Sequence, residues 1–231
     1  MIMLHVHFNA DIGEGYQHDA ALLHQVQAVN IACTAHAGTP ADIVHALRLA
    51  REQKLEVGAH PGYFDREYFG RREQPITPEE LYATVRFQLA GFLSLAYWLD
   101  TPVTYFKPHG AMYHQCHREP ALAHTLATLA LEFQLAVLGL PAGELEKACQ
   151  QLHVRYLREG FADRRYTLEG NLVPRREPDA LLHDPHEAAL QIHRLIAQHA
   201  IDSFCVHGDS PEVVTFLLQT KQHLQKLDRP S

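Results

Sequence analysis

The sequence predicts an α/β fold, a single-domain (β/α) barrel with about seven parallel strands. Three observations support this prediction. Short apolar strand patterns alternate with helical patterns, polar clusters follow most of the strands, and no linker or change of composition divides residues 1–231. Such alternation is typical of a parallel sheet with helices outside it. An open doubly wound sheet is the alternative, because seven is an unusual strand number for a regular barrel.

The first predicted strand ends in a polar turn. Leu4, Val6 and Phe8 alternate with histidines, which is the period of two that a half-buried strand has. The segment 9–15 then places two carboxylates and an amide among glycines, which is more typical of a site than of a core. An ordinary polar loop is the other interpretation of this segment.

The remaining elements follow in order along the chain. Further strands are predicted at 28–32, 56–59, 103–106, 135–138, 154–157 and 203–206. Helices are predicted at 19–27, from Pro40, at 81–99, 120–132, 144–152 and 187–199, and from Pro211. A hairpin is predicted between Tyr166 and Pro174, turning at 169–171.

Composition argues against several classes of protein. Hydrophobic residues make up 46% of the chain, and no apolar run is long enough to span a bilayer. The formal net charge of -7 argues against a nucleic-acid partner. The 4 cysteines have no paired spacing and no secretory signal opens the chain. We therefore expect reduced thiols and a cytoplasmic protein without a membrane partner.

Charged side chains and histidines gather where the predicted strands end. Parallel α/β sheets bind ligands at the carboxyl ends of their strands. The opposite ends carry ordinary surface residues such as Lys54, Asp100 and Gln134. The carboxyl ends carry Asp11, His36, His60, Lys107, His109, Glu159, Asp163 and His207. This asymmetry predicts one polar mouth, and it favours a closed or nearly closed barrel.

The sharpest local motif is Lys-Pro-His-Gly at 107–110. A lysine at a strand end can bind an oxyanion or a phosphate. A histidine two residues later can transfer protons near neutral pH or ligate a metal. Gly110 permits close approach of the backbone. The alternative is a lysine paired with a carboxylate beside a core histidine.

Two arginine pairs, Arg71-Arg72 and Arg164-Arg165, lie in predicted strand-end loops. Guanidinium groups bind carboxylates and phosphates in a bidentate manner. Adjacent arginines in a chain of net charge -7 therefore indicate an anionic ligand. Ion pairing at the protein surface is the competing interpretation.

A divalent metal site is a further candidate. Asp11, His60 and His109 come from three different strands and offer two nitrogens and one oxygen, a set that such metals accept. No local HxxxH spacing supports it, so a hydrogen-bonded acid/base cluster of the same residues is favoured over a tightly bound metal. The Gly-Glu-Gly run at 13–15 has no Walker lysine-serine pair, so no motif predicts ATP binding.

Several segments, in the right order, resemble the LamB/YcsF family over nearly the whole chain. They are Asn-Ala-Asp-Ile-Gly-Glu (9–14), Asn-Ile-Ala-Cys (30–33), His-Ala-Gly (36–38), Gly-Ala-His-Pro-Gly-Tyr (58–63), Phe-Gly-Arg-Arg (69–72), Lys-Pro-His-Gly-Ala (107–111), Phe-Ala-Asp-Arg-Arg-Tyr (161–166) and Cys-Val-His-Gly-Asp (205–209). The chain departs from the family pattern at His7, Thr34, Ala35 and Thr39, which leaves roles at those positions open.

The resemblance implies a glycoside hydrolase/deacetylase-like barrel and a specific reaction. The reaction is the one catalysed by ATP-dependent 5-oxoprolinase, in which hydrolysis of 5-oxo-L-proline to L-glutamate is coupled to cleavage of ATP (with Mg²⁺). The family supplies the A subunit of that enzyme, which works together with subunits B and C. Because a lactam is a poor electrophile, this chemistry needs anion clamps, a general base and a proton donor. The candidate residues supply all three.

The predicted site residues fall into two groups. The predicted catalytic residues are Asp11, Glu14, His60, Lys107 and His109. The predicted substrate-binding residues are Asn9, His36, Arg71, Arg72, Asp163, Arg164, Arg165, His207 and Asp209. Because polar residues at a strand-end mouth carry little of a core, we expect the fold to survive their replacement.

Two other functions compete with this one. A metal-dependent amide hydrolase or deacetylase acting alone would use Asp11, His60 and His109 as ligands. A non-catalytic component would bind the lactam and deliver it to partners. A homo-oligomer is compatible with each of these functions.

Overall fold

Seven parallel strands close into one barrel that follows the order of the sequence. The structure, a computed structural model, describes residues 6–15, 19–167, 170–175, 177–207 and 212–227. The strands are β1 (Phe8–Ile12), β2 (Ala28–Ala32), β3 (Glu56–His60), β4 (Tyr105–Phe106), β5 (Ala136–Gly139), β6 (Tyr156–Phe161) and β7 (Ser203–His207). β1 pairs with both β2 and β7, which closes the sheet. The predicted barrel is confirmed, and the doubly wound alternative is wrong.

Helices connect the strands. They are α1 (Asp19–Leu23), α2 (Pro40–Glu52), α3 (Pro78–Trp98), α4 (Gly110–Arg118), α5 (Pro120–Phe133), α6 (Glu144–Gln151), α7 (Pro185–His199) and α8 (Val213–Leu227), with a short 3₁₀ helix at Arg66–Tyr68. Each of α2 and α3 begins with a threonine N-cap, a capping box and a proline at the first turn. These caps satisfy backbone N–H groups at the start of each helix. The predicted start of α2 at Pro40 is confirmed, because proline is favoured in the first turn of a helix.

The side chains of β1 alternate between two environments. Phe8, Ala10 and Ile12 belong to the main apolar core. Asn9 and Asp11 are buried as well, but they make polar contacts with side chains from other strands of the barrel. The interior of a small closed barrel is filled by side chains, and in this barrel some of them are polar. The candidate site lies at these polar side chains.

Two predicted strands are displaced. The first lies at Phe8–Ile12, so Asn9 and Asp11 are inside the strand and do not follow it as predicted; residues 1–5 lie outside the described part of the chain. The alternation of 4–8 continues to Ile12 with polar residues facing inward. Similarly, β6 runs to Phe161 instead of ending at 157, so Glu159 points from within a strand. In both cases the sequence pattern does not distinguish a polar strand residue that faces the barrel interior from a loop residue.

Helix α4 was absent from the prediction. It begins immediately after His109, in a segment expected to be a strand-end loop, and its polar sequence has only a short apolar face. The predicted hairpin is supported by the antiparallel bridge between Tyr166 and Leu172, although 168–169 lie outside the described residues. The predicted start of the last helix at Pro211 also falls outside them, and the helix is described from Val213.

The cysteines and the long helices bear on the compositional predictions. Cys33, Cys116, Cys149 and Cys205 are all buried and free, as expected of thiols that were predicted to be unpaired. In the described ranges, no helix combines the length and apolar character needed to cross a membrane.

Candidate functional site

A cavity of about 780 Å³ opens at the carboxyl ends of the strands. This volume lies within the range of small-molecule sites in proteins. Its lining includes Asp11, Glu14, His60, Arg71, Glu73, Lys107, His109, Tyr113, His114, Arg118, Phe161, Arg164, Arg175 and His207. All five predicted catalytic residues are therefore brought together from β1, the loop after it, β3 and the end of β4.

Lys107 is the centre of a buried ion-pair cluster, here called the lysine cluster (Asp11, Lys107, Glu159). Its Nζ lies 2.9 Å from Asp11 Oδ1 and 2.9 Å from Glu159 Oε1. Tyr113 donates a hydrogen bond of 2.7 Å to the other oxygen of Glu159. Lys107 is only 3% exposed and Glu159 is fully buried. One lysine thus faces two carboxylates in the interior of the barrel.

Both Asp11 and Lys107 are charged at neutral pH. Burial by itself would raise the pKa of Asp11, yet His60 and Lys107 outweigh burial and hold that pKa well below its usual range. Burial by itself would lower the pKa of Lys107, yet Asp11, Cys205 and Glu159 outweigh it and raise the pKa well above normal. Lys107 is therefore a fixed positive charge, not a neutral amine nucleophile.

Beside the lysine cluster lies a histidine cluster, defined as Glu14, His36, His60 and His109. Glu14 Oε1 lies 3.3 Å from His36 Nε2, 3.3 Å from His109 Nδ1 and 3.8 Å from His60 Nε2. The rings of His36 and His109 stack with centroids 3.7 Å apart. All three histidines are buried. Three imidazoles therefore converge on one carboxylate oxygen.

His60 joins the two clusters. Its Nε2 lies 3.4 Å from Asp11 Oδ2 and 3.0 Å from His109 Nδ1. Asp11, His60 and His109 therefore form a continuous chain of side chains through which a proton can pass. Burial and the nearby His36 and His60 rings lower the pKa of His109 well below normal, which keeps this ring neutral near pH 7.

The outer wall of the cavity is rich in arginine. We call Arg71, Arg118, Arg164 and Arg175 the arginine rim. Arg118 Nη2 lies 2.6 Å from Glu73, and Arg164 Nη2 donates to the carbonyl oxygen of Val173 at 2.7 Å. Only 5% of Arg164 is exposed. Because its side chain is packed in this way, the guanidinium group stays at the cavity wall. Arg71 and Arg164 thus present guanidinium groups at this wall, which suits an anion.

Each predicted arginine pair is divided by the structure. Arg71 and Arg164 line the cavity. Arg72 instead forms an ion pair with Asp65 and stacks over Tyr68. Arg165 pairs with Glu187 of α7 at 2.6 Å. Arg164 lies in a bridged segment, where neighbouring side chains point in opposite directions, and Arg72 lies at a bend of the chain, so only one member of each pair lies at the site. The geometry does not support the predicted substrate contacts of Arg72 and Arg165.

The other predicted binding residues lie at different depths. His207 lines the cavity, and Asp163 holds it by accepting from the backbone N–H at 2.8 Å and contacting Nδ1 at 2.9 Å. Asn9 bonds to Ser203 and Asn30 inside the barrel and is not among the cavity-lining residues. His36 lies behind His109 in the histidine cluster. Asp209 lies outside the described residues.

Five polar lining residues were not predicted from the sequence: Glu73, Tyr113, His114, Arg118 and Arg175. Tyr113 and His114 belong to α4, the helix that was not predicted. Arg175 comes from the segment after the hairpin. The one signal that could have found them is the position of α4, because a helix that starts straight after a strand-end motif places its first turns beside the site.

This combination of fold and cavity defines a TIM-like barrel protein with a polar ligand site at the carboxyl ends of its strands. The model of the LamB/YcsF family matches residues 6–229. The chain belongs to the LamB/YcsF family, as its motifs indicated.

Curated relatives span the same length. A protein named as the A subunit of 5-oxoprolinase from Neisseria meningitidis serogroup C (strain 053442) is 38% identical, with 96% of each chain covered. Proteins of the same name from Erwinia tasmaniensis and Haemophilus influenzae (strain PittEE) are 37% and 33% identical; the alignments cover 96% and 97% of this chain and 98% and 97% of theirs.

Solved structures agree with the barrel. The crystal structure of a lactam utilization protein from Thermus thermophilus has a TM-score of 0.88, 31% identity and 97% coverage of each chain. The catalytic domain of a family GH18 chitinase from a fern, Peteris ryukyuensis, has a TM-score of 0.50 at 11% identity, covering 94% of this chain and 99% of that one. The second likeness concerns the fold alone, and it agrees with the predicted glycoside hydrolase-like barrel.

Proposed function

We propose that this chain is the A subunit of an ATP-dependent 5-oxoprolinase, which hydrolyses 5-oxo-L-proline to L-glutamate together with subunits B and C. One coincidence carries the proposal. Relatives that bear the name of this subunit match the chain along its length, and the cavity suits a small anionic lactam. Such a lactam has two polar ends, a carboxylate and an amide carbonyl.

The arginine rim is proposed to bind the carboxylate of the substrate. Arg164 is held in place by its bond to the Val173 carbonyl, and Arg71 extends over the ring of Phe69 with its guanidinium carbon 4.9 Å from the centroid. A positioned guanidinium costs little further ordering when a carboxylate arrives. This contact would orient the lactam ring with its carbonyl towards the floor of the cavity.

The lysine cluster is proposed to act on the carbonyl. Lys107 remains protonated and can stabilise negative charge that develops on the carbonyl oxygen. Asp11 remains a carboxylate and either takes a proton from water or orients His60, 3.4 Å away. His109 Nδ1 lies 3.0 Å from His60 and 3.3 Å from Glu14 Oε1, so the proton can pass through this nitrogen to the Glu14 carboxylate.

ATP with Mg²⁺ is proposed to supply the activation that a poor lactam electrophile lacks. The rim guanidinium groups fit phosphate as well as carboxylate oxygens, and the cavity of about 780 Å³ is roomier than one five-membered ring requires. The described residues carry no Walker-type lysine-serine loop, so we assign the assembly of the ATP-coupled reaction to the complex with subunits B and C.

Reconstitution tests the proposal. Production of glutamate and ADP from 5-oxo-L-proline is measured with the chain alone, with B and C alone, and with all three. We expect turnover only in the complete mixture, and an Asp11→Asn chain should abolish most of it. ADP and glutamate should form in equal amounts. Robust turnover by the single chain would contradict the proposal.

The competing functions predict different results in the same assay. A stand-alone amide hydrolase would release glutamate without ATP from the single chain. A non-catalytic lactam carrier would support turnover almost as well with Asp11→Asn as with the native residue, while Arg164→Gln would impair delivery. The three outcomes do not overlap, so one set of mixtures separates them.

A further inference from the structure

The histidine cluster brings four potential metal-ligand atoms into one small volume. One ligand atom from each of Glu14, His36, His60 and His109 lies within 4.8 Å of the other three. The separations between Glu14 Oε1 and the three ring nitrogens are 3.3, 3.3 and 3.8 Å, and His60 Nε2 lies 3.0 Å from His109 Nδ1. Ligands about 2.0–2.1 Å from a tetrahedral zinc ion are separated by roughly 3.3 Å, so these distances bracket that arrangement.

Hydrogen bonds to backbone carbonyls determine which nitrogens of two rings carry protons. His60 Nδ1 lies 2.8 Å from the carbonyl oxygen of Lys107, and His109 Nε2 lies 2.9 Å from the carbonyl oxygen of Phe69. A carbonyl oxygen can only accept, so both of these nitrogens are N–H donors. In the neutral rings, the opposite nitrogens, His60 Nε2 and His109 Nδ1, therefore present lone pairs.

Those two lone pairs face each other at 3.0 Å, and a carboxylate oxygen faces both. Three acceptors in contact repel one another unless positive charge lies between them. Metal-binding histidines characteristically donate their other N–H to a backbone carbonyl or a carboxylate, which fixes the tautomer and the ring orientation. His60 and His109 both have this arrangement.

The surrounding chain is shaped to hold these rings in place. A Cβ on Gly62 would lie 2.6 Å from His36 Nδ1, and a Cβ on Gly70 would lie 2.9 Å from the His36 Cβ. Glycine at both positions lets the backbone approach the stacked rings closely. The phenyl ring of Phe69 packs edge-on against both His36 and His109. Packing therefore holds the rings closely on their outer side. Because the His36 and His109 rings lie parallel with centroids 3.7 Å apart, His36 has to rotate before its nitrogen can point at an ion held by the other three residues.

We propose that Glu14, His36, His60 and His109 form a binding site for one divalent transition-metal ion, with Zn²⁺ the best match to three imidazole nitrogens and one carboxylate oxygen. Compared with the sequence-based candidate (Asp11, His60 and His109), this set adds His36 and has Glu14 in place of Asp11, because Asp11 is engaged by Lys107. The site borders the cavity through Glu14, His60 and His109. A cation there can polarise a bound carbonyl or lower the pKa of a bound water. A bound ion takes the place of a proton between His60 and His109, so ion binding and proton transfer are alternative states of this cluster. The proposal does not depend on the 5-oxoprolinase assignment, since binding is measured without turnover.

Metal titration of the full chain provides the test. The protein is prepared without a histidine tag, stripped with a chelator and titrated with Co²⁺, whose visible absorption reports tetrahedral nitrogen and oxygen ligands; Zn²⁺ is then added in competition. We expect one equivalent of Co²⁺ to bind with a tetrahedral spectrum and one equivalent of Zn²⁺ to displace it. Calorimetry with Zn²⁺ gives the affinity.

Single substitutions assign the ligands. His109→Gln and Glu14→Gln should each weaken Zn²⁺ binding by about 10²-fold or more, since even loss of a partner that only orients a ligand costs 10- to 100-fold. His114→Gln, on the same cavity wall but outside the cluster, is the matched control and should bind as the native chain does. If His109→Gln does not fold, His36→Gln takes its place. No stoichiometric binding, or equal binding by native, His109→Gln and Glu14→Gln chains, would overturn the proposal, because a shared proton would then bridge the rings.

Discussion

The floor of the cavity is formed by the lysine cluster (Asp11, Lys107 and Glu159), and its outer wall by the arginine rim. These two regions balance their charges in different ways. At the floor, Lys107 meets Asp11 and Glu159 at 2.9 Å each, so positive and negative groups neutralise one another within the fold. At the rim, four arginines line the wall and the lining acid among them is Glu73. The carboxylates of the floor are thus paired within the protein itself, whereas Arg71 and Arg164 present guanidinium groups at the rim that favour an anionic ligand.

This difference separates effects on stability from effects on binding. Removing Lys107 from the floor leaves two buried carboxylates without compensation, so the cost appears in folding. Removing a charge from the rim leaves solvent or ligand to adjust, so the cost appears in affinity for an anion. Lys107 is 3% exposed between two carboxylates, which argues against the expectation that the fold survives its replacement.

The largest effect is expected for Lys107→Met. The substitution strands Asp11 and Glu159 in the barrel interior, and breaking a buried ion pair in this way typically costs about 3–5 kcal/mol of the free energy of unfolding. Urea denaturation followed by circular dichroism measures it. Adding Glu159→Gln to Lys107→Met should recover part of the loss, because one of the two uncompensated charges is then removed.

Lys147→Met is the matched control for that measurement. Lys147 pairs with Glu144 on α6 and its side chain is 60% exposed, so its loss should cost no more than about 1 kcal/mol. Equal stabilities for Lys107→Met and Lys147→Met would show that the floor carboxylates are already protonated.

The next effect is kinetic and concerns Asp11→Asn. Asparagine keeps an oxygen acceptor for Lys107 and Asn30 but cannot serve as a base, so the rate of the reconstituted reaction should fall by roughly 10²-fold or more. Asp100→Asn, on an exposed turn before β4, should leave the rate unchanged. Near-native turnover by a folded Asp11→Asn chain would show that Asp11 takes no part in the reaction.

How far the sequence predicted this site depended on the kind of feature. Period-two and helical patterns predicted a parallel barrel, and the strand-end rule brought Asp11, His60, Lys107 and His109 to one cavity. These inferences worked because topology alone places the ends of parallel strands together.

Side-chain direction could not be predicted in the same way. Nothing in the sequence distinguishes Arg164 from Arg165, yet the first faces the cavity and the second pairs with Glu187. The displacement of β1 has a similar cause, because a polar residue inside a strand is indistinguishable from one after it until its partners in other strands are known. Asp11 has such partners in Asn30 and Lys107.

A pH effect at the rim is the next expected result. Burial, together with Arg164 and Arg118, lowers the pKa of His114 to about 4. The unfolded chain takes up a proton near pH 6.5 that the folded chain does not bind until about pH 4, so the His114 contribution is complete above pH 6.5 and is lost as the pH falls between these values. Between about pH 7.5 and pH 5 the loss is about 2 kcal/mol.

Denaturation curves at several pH values check that prediction. The native chain also loses stability in this range through His36 and His109, whose pKa values burial lowers, so the difference between variants is the quantity to compare. His114→Gln should show a shallower decline than the native chain, and His124→Gln, at an exposed position on α5, should not. Parallel declines for all three chains would show that His114 titrates normally.

The smallest expected effect is also the most direct test of the rim as an anion site. Arg164→Gln removes a positioned guanidinium from the cavity wall, and loss of a charged hydrogen bond to the substrate carboxylate should raise the KM for 5-oxo-L-proline roughly 10-fold. The rate constant kcat should change less, because the contact binds substrate and transition state alike. Arg165→Gln is the control one residue away: its loss breaks an ion pair with Glu187 outside the cavity and should leave KM unchanged. If both variants raised KM equally, the distinction between the two arginines would be wrong. If neither did, the carboxylate would have to bind elsewhere in the cavity, and Arg71→Gln would be the next variant to measure.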